Sequence, residues 1–133
     1  MSEKSNIKTV ESVYEAFGRG DVSAILETVT DDVDWSTEAA GNAAPWYGGR
    51  KGREALAQWF GDLGSTIDVE EFTPRAFGSN DADVFTVVHF RARVRSTGKT
   101  IEMDLHHWFR FRDGKIAYYR GTEDTAETSA AFS

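Results

Sequence analysis

The chain has no cysteine among its 133 residues, so it can form neither a disulfide framework nor a thiolate metal site. No apolar run approaches the ~20 residues that a membrane-spanning helix needs, and residues 1–8 lack the apolar core of a signal peptide. Positive charge is scarce as well, because 15 lysines and arginines face 22 aspartates and glutamates, for a net charge of −7. Such a surface repels phosphate backbones, so we expect no nucleic-acid partner. The missing apolar runs lead us to expect a cytoplasmic protein with no membrane partner.

Sequence motifs for nucleotide, serine-hydrolase or metal chemistry are missing too. The chain has no P-loop, no dinucleotide-binding glycine pattern and no nucleophile elbow. His106 and His107 are adjacent on a predicted strand and therefore point to opposite faces, while His89 shares a face with His106 without a nearby acidic ligand. We therefore expect no metal site and no cofactor.

Apolar residues make up 40% of the chain and aromatic residues 13%, which is enough for one folded core. We predict a single domain over residues 1–133, with an ordered core from about residue 5 to about residue 125. The residues from Ala126 onward are small and polar, which predicts a loose C-terminal tail.

The first half of the chain shows helical spacing and the second half shows strand alternation. Helices are predicted before Gly18, after the N-cap residue Asp21 and after Gly52. Alternation predicts five strands, which are Val33–Thr37, Ile67–Phe77, Val84–Arg95, Thr100–Arg112 and Lys115 to about Asp124. Three helices ahead of a meander of long strands form an α+β layout, in which the helices cover the apolar face of a curved sheet and enclose a small apolar pocket.

His107 is the polar residue in the apolar row of its predicted strand. Alternation puts it on the same face as Met103, Leu105 and Phe109, which is the face that the helices cover, whereas His106 faces outward. Its ordinary pKa near neutrality suits acid–base chemistry, and the same ring can hold a ligand oxygen.

The partners of this histidine depend on the register of the last hairpin. The Asp113-Gly114 turn sets Arg120 opposite the imidazole and Asp124 further along the same face. A β-bulge would turn Tyr119 and Glu123 inward instead.

The outer sheet face carries charged and apolar residues. A four-residue loop after Arg95 sets Arg93 opposite Glu102 and Arg91 opposite Asp104, so these arginines are predicted to pair across strands. Large apolar residues on the same face indicate the interface of a homodimer, and they are Phe85, Val87 and Trp108.

Several motifs in succession resemble the SnoaL-like group, which is related to the ketosteroid isomerases and has the nuclear transport factor 2 fold. They are a Gly-Asp between two helices, Asp31–Trp35, the Pro45–Gly49 loop and Phe109–Ile116, and the resemblance runs from about Ile7 to Asp124. The resemblance implies a cone-shaped domain with a mixed or antiparallel sheet around a pocket, commonly a homodimer. It leaves the reaction open, because such folds serve isomerases, cyclases, epoxide hydrolases and binding proteins.

Carrying the family's sites over residue by residue gives a mixed result. The tyrosine of the ketosteroid isomerases falls at Val13, next to Tyr14, their base falls at Thr37, and their second aspartate falls at His107. The SnoaL-type cyclases carry a histidine at the His107 position, and their acid on the last strand falls at Gly121, as does an aspartate of the limonene epoxide hydrolases. Neither specific activity transfers intact.

The resulting hypothesis names three candidate catalytic residues and a set of ligand-binding residues. The catalytic candidates are His107, Arg120 and Asp124. The candidates for lining the pocket are Tyr14, Trp35, Trp46, Tyr47, Trp59, Phe60, Met103 and Leu105. The first function considered is a cofactor-independent isomerase, cyclase or hydrolase acting on a small hydrophobic carbonyl compound. The alternatives are a non-catalytic binder of a small apolar ligand and a purely structural dimerisation module.

Overall fold

The computed structural model describes residues 3–133 as four helices and six strands. In chain order they are α1 (Glu3–Arg19), α2 (Val22–Leu26), β1 (Val29–Thr37), β2 (Gly48–Lys51), α3 (Arg53–Thr66), β3 (Ile67–Ser79), β4 (Asp83–Val94), β5 (Thr100–Arg112), β6 (Lys115–Thr122) and α4 (Thr125–Phe132). The α+β prediction is confirmed.

The strands form one open, mixed sheet in the order β2-β1-β6-β5-β4-β3. The β1–β6 pair is parallel and the other neighbours are antiparallel. Helix α1 lies against β3 and β4, and α3 lies against β1, β2 and β3. The helices and the inner sheet face therefore hold the core between them.

Alternation along β4 and β5 is confirmed by burial. The inner row of β5 is buried at Ile101, Met103, Leu105, Phe109 and Phe111, with the half-buried His107 in the same row. Because side chains alternate with a period of two residues, the arginines of these strands stand on the outer face.

The β4–β5 register differs from the prediction by two residues. Arg91 lies opposite Glu102 and His89 lies opposite Asp104, whereas Arg93 lies opposite Thr100 and forms its ion pair with Asp68 on β3. The cause is a wider turn, in which the amide of Gly98 donates to the carbonyl of Val94 at 2.7 Å.

The β5–β6 register also differs, and this difference reshapes the pocket. The predicted pairing holds near the turn, with Phe111 opposite Ile116, but a bulge at Ala117 then shifts it. Gly121, rather than Arg120, lies opposite His107, so the predicted pairing of His107 with Arg120 is wrong. Because of the extra residue, the side chains of β6 beyond the bulge that were predicted to face outward face inward, and those predicted to face inward face outward.

The C-terminal tail is not loose, which corrects the prediction from its composition. Residues Thr125–Phe132 form α4, with Asp124 as its N-cap accepting a hydrogen bond from the Glu127 amide at 3.1 Å. Thr128 and Ala131 are buried, and the hydroxyl of Thr97 donates to the Ala131 carbonyl at 2.6 Å. Helix α4 therefore packs on the fold and contacts β5.

Candidate ligand pocket

A small cavity, part of it open to solvent, lies between the helices and the inner sheet face. Its walls come from α1, α3, β1 and β3–β6, together with the chain before β2 and after β6. The lining residues are mostly apolar, and they are Val13, Tyr14, Phe17, Trp35, Thr37, Trp46, Trp59, Phe60, Leu63, Phe72, Phe90, Leu105, His107, Phe109, Tyr119, Gly121, Thr122 and Glu123. This composition is typical of a site for a small apolar molecule.

His107 is held in this cavity by a tyrosine from the first helix. The Tyr14 hydroxyl lies 2.7 Å from Nδ1 of His107 and 2.6 Å from the hydroxyl of Thr86. Thr86 lies directly across from His107 in the β4–β5 ladder, so two strands and α1 meet at one hydroxyl group. The sheet and helix together fix the orientation of the imidazole.

Two directions fit these hydrogen bonds, because either hydroxyl can donate in the first bond and the tautomer of His107 decides the second. Tyr14 has one hydroxyl proton, and within residues 3–133 the Thr86 hydroxyl has no other partner. In one chain of hydrogen bonds Nδ1–H of His107 donates to Tyr14 and Tyr14 donates to Thr86, which leaves the Thr86 proton without an acceptor among the described residues. In the other, Thr86 donates to Tyr14 and Tyr14 donates to Nδ1 of His107, so both hydroxyl protons have acceptors. In that arrangement the imidazole carries its own proton on Nε2, which has no partner in the described chain and is left to donate to a ligand.

Burial keeps both rings uncharged. Removal from bulk water, with a smaller contribution from His106, lowers the pKa of His107 to about 3. Burial also raises the pKa of the Tyr14 hydroxyl above its ordinary range, against a smaller lowering by Thr86. At neutral pH the pair is therefore a neutral hydrogen-bonding group and not an ion pair.

Glu123 is the carboxylate among the residues that line the cavity. It accepts hydrogen bonds from the Trp46 indole at 2.9 Å, the Tyr47 hydroxyl at 3.0 Å and the Thr128 hydroxyl at 2.6 Å. These contacts tie the loop before β2 and the start of α4 to the end of β6. One side chain thus fastens two segments that border the cavity.

Tyr119 enters the cavity because of the bulge in β6. Its ring stacks on Trp35 with centroids 3.9 Å apart, and it lies 5.2 Å from the His107 ring. A Cβ atom at Gly121 would collide with the hydroxyl of this tyrosine, so the absence of a side chain at Gly121 leaves the space that the ring occupies.

The predicted lining residues divide into two groups. Tyr14, Trp35, Trp46, Trp59, Phe60 and Leu105 border the cavity. Tyr47 instead binds Glu123, and the sulfur of Met103 accepts a hydrogen bond from the Asp124 amide at 3.3 Å. Neither of these two residues is among those that line the cavity.

Arg120 and Asp124 lie away from the cavity. Arg120 faces outward, forms ion pairs with Asp34 at 3.1 Å and Glu38 at 3.4 Å, and has its guanidinium 4.0 Å from the Tyr118 ring. Asp124 is exposed and caps α4. Their expected partnership with His107 depended on a register that β6 does not adopt.

Thr86 was not predicted as a partner of His107. Tyr119 and Glu123 were predicted to face inward only if β6 carried a bulge, and the structure has that bulge. The signal for Thr86 was a polar residue in the inner row of β4, between Val84 and Val88. Its hydrogen-bond partner, Tyr14, becomes evident only from the packing of α1 against the sheet.

His89 on the outer face has acidic neighbours, contrary to expectation. Its two ring nitrogens lie 2.9 Å from Asp104 and 2.8 Å from Glu102. Glu71 is also nearby: one potential ligand atom from each of Glu71, His89 and Glu102 lies within 4.8 Å of the other two. Arg91 also reaches Glu71, at 3.3 Å. The arrangement is an exposed network of ion pairs, and it raises the pKa of His89, mainly through Asp104.

Comparison with known families agrees with this geometry. Residues 10–119 match the SnoaL-like domain. The chain belongs to the SnoaL-like family. Among solved structures, this SnoaL-like domain is similar to a nuclear transport factor 2-like protein from Burkholderia xenovorans LB400, with 26% identity, a TM-score of 0.89, and coverage of 100% of this chain and 99% of that one.

Two further structures share the fold. One is a nuclear transport factor 2-like protein from Burkholderia thailandensis E264, with 24% identity, a TM-score of 0.88, and coverage of 100% and 99%. The other is TerC co-crystallised with polyporic acid, with 20% identity, a TM-score of 0.86, and coverage of 96% and 98%. No curated protein matches the sequence significantly.

In the part of the chain that the structure describes, no helix combines the length and the apolar character needed to cross a membrane.

Proposed function

We propose that this SnoaL-like domain binds a small, largely apolar molecule in its cavity and holds an oxygen atom of that molecule at His107. The observation that carries the proposal is the fixed imidazole in a mostly apolar wall. Its Nδ1 is bound by Tyr14, and its Nε2 has no partner within residues 3–133. A polar group that faces an apolar cavity gains from a hydrogen-bond partner there, and a ligand oxygen supplies one.

The state of His107 favours binding over proton transfer. A general base works best with a pKa near the working pH, and burial holds the pKa of this imidazole at about 3. A neutral ring that donates from Nε2 orients a carbonyl or hydroxyl oxygen instead.

The experiment compares two neighbouring histidines. Native mass spectrometry of the purified protein identifies a co-purified ligand, and calorimetry measures its affinity for His107→Ala and His106→Ala. We expect His107→Ala to keep the fold and lose about tenfold or more in affinity, because a buried hydrogen bond and ring contacts disappear. His106 is exposed on the other sheet face, so His106→Ala is the matched control. Equal affinities of both variants would refute the proposal.

A second candidate function, a cofactor-independent isomerase or cyclase, is favoured by the position of Glu123. This carboxylate borders the same cavity as His107, so it can accept a proton from the carbon next to a carbonyl while Nε2–H stabilises the enolate oxygen. Return of the proton to another carbon completes an isomerisation without a cofactor. The three hydrogen bonds that Glu123 accepts weaken it as a base and count against this function.

Proton exchange separates the two functions. In D₂O an enzyme of this class exchanges the α-protons of a bound ketone, such as 2-acetylnaphthalene, faster than buffer does, and Glu123→Gln abolishes that exchange. Binding without enhanced exchange identifies the protein as a binder.

A further inference from the structure

The hydroxyl of Tyr119 is one of the polar groups lining the cavity that have no partner within residues 3–133, and the indole nitrogen of Trp35 is another. The residue is only 3% exposed, and within the described chain its hydroxyl makes no hydrogen bond. Buried hydroxyl groups are nearly always paired, and leaving one unpaired costs free energy. The unfilled partner position faces a cavity, which points to a ligand atom.

The local backbone is built to place this hydroxyl beside His107. Gly121 is the residue opposite His107, and any side chain there would collide with the Tyr119 hydroxyl. Stacking on Trp35 holds the ring from the other side. The phenol is therefore confined to the space above Gly121, next to the imidazole.

The charges around this position select against anions. Among residues 3–133, no lysine or arginine lines the cavity, whereas Glu123 does. Burial lowers the pKa of His107 and raises the pKa of Tyr119, so neither ring carries a charge at neutral pH. An anionic group here would be desolvated without a cation to pair with.

We propose that Tyr119 is a ligand-binding residue that donates, together with Nε2 of His107, to an oxygen atom of an uncharged ketone or alcohol, and that the site excludes the corresponding carboxylate. The proposal rests on the proposed binding function and adds the charge class of the ligand and a second hydrogen-bonding residue. Gly121 acts as a positioning residue, because it leaves the space that the phenol occupies.

The test uses three probes with one skeleton: 2-acetylnaphthalene, 2-ethylnaphthalene and 2-naphthoate. Calorimetric titrations are made with the wild type, Tyr119→Phe and Tyr118→Phe. Tyr118 is the matched control, since it lies one residue away and its ring packs against Trp108 and Arg120 on the outer face. Tyr119→Phe keeps the ring on Trp35 and removes only the hydroxyl.

We expect the wild type to bind the ketone about three- to tenfold more tightly than the ethyl compound and to bind the carboxylate weakest. Tyr119→Phe should lower ketone affinity by a similar factor and leave the ethyl compound unaffected, whereas Tyr118→Phe should change neither. The melting temperature of ligand-free Tyr119→Phe should equal or exceed that of the wild type, because the lost hydroxyl had no partner.

Each contrary result has its own meaning. Unchanged ketone affinity in Tyr119→Phe, while His107→Ala loses affinity, overturns the role of Tyr119 and leaves the binding function intact. Preferred binding of the carboxylate overturns the charge class. A lower melting temperature of the ligand-free variant shows that the hydroxyl has a protein partner and also overturns the inference. Failure of all three probes to bind the wild type overturns the binding function together with this inference.

Discussion

The neutral state of His107 has a measurable consequence for stability. Folding lowers the pKa of this imidazole from 6.5 to about 3, so between these values the unfolded chain binds a proton that the folded chain does not. Stability therefore rises with pH across this window and falls as the pH drops below the unfolded value. At a pH of about 5, linkage gives a loss of up to about 2 kcal/mol from this one residue.

The variant His107→Asn isolates this contribution, since its amide does not titrate and its oxygen can still accept the Tyr14 proton. Urea unfolding is measured for both proteins at about pH 8 and about pH 5, and the wild type should lose up to about 2 kcal/mol more than the variant over that interval. In parallel, NMR should show the His107 ring resonances unchanged over the same range. A His107 resonance that titrates near its ordinary pKa, or equal losses for the two proteins, would refute the buried neutral imidazole.

Three further predictions concern β6, the outer sheet face and assembly. Gly121→Ala should destabilise the fold by about 1–3 kcal/mol in urea titrations through its collision with Tyr119, whereas Gly78→Ala, which has open space at its Cβ, should be nearly neutral. Because folding raises the pKa of His89, its stabilising effect is present at low pH and is lost as the pH rises through the folded value, so the stability gap between wild type and His89→Gln should shrink on going from about pH 6 to about pH 9. The homodimer remains a prediction: Phe85 is 44% exposed and stacks on Trp108, so light scattering should give a dimeric mass that Phe85→Glu reduces, and a monomeric wild type at micromolar concentration would contradict it.

Strand alternation was sufficient to place His107 in the pocket. The inner row of β5 is apolar on both sides of the histidine, and a period of two residues leaves no other face for it. Helical spacing put Tyr14 near the pocket, because it lies on the apolar stripe of the first helix, which covers this sheet face.

The bulge at Ala117 could not be predicted from the sequence. Tyr118 and Tyr119 are adjacent aromatic residues, so either one can fill the inner row of β6 without a change in hydropathy. Whether Tyr118 or Tyr119 faces inward determines whether Arg120 or Gly121 lies opposite His107. In the structure Tyr119 faces inward and its ring stacks on Trp35.

Helix α4 was missed because its residues are mostly small and polar, so no apolar stripe marks it. Its signals were the N-cap residue Asp124 and Glu127 three residues later, but the segment that follows is too short to predict a helix from these two residues alone. The hydrogen bond between Thr97 and Ala131 joins residues 34 positions apart, so it appears only in the folded chain.

The central claim is that His107 and Tyr119 together hold a ligand oxygen, and a crystal structure of the protein with 2-acetylnaphthalene tests it most directly. The carbonyl oxygen should lie about 2.7–3.2 Å from both Nε2 of His107 and the Tyr119 hydroxyl, with the naphthalene rings among Trp35, Phe60 and Phe109. A ketone bound outside this cavity, or bound inside it with its oxygen away from His107, would contradict the account.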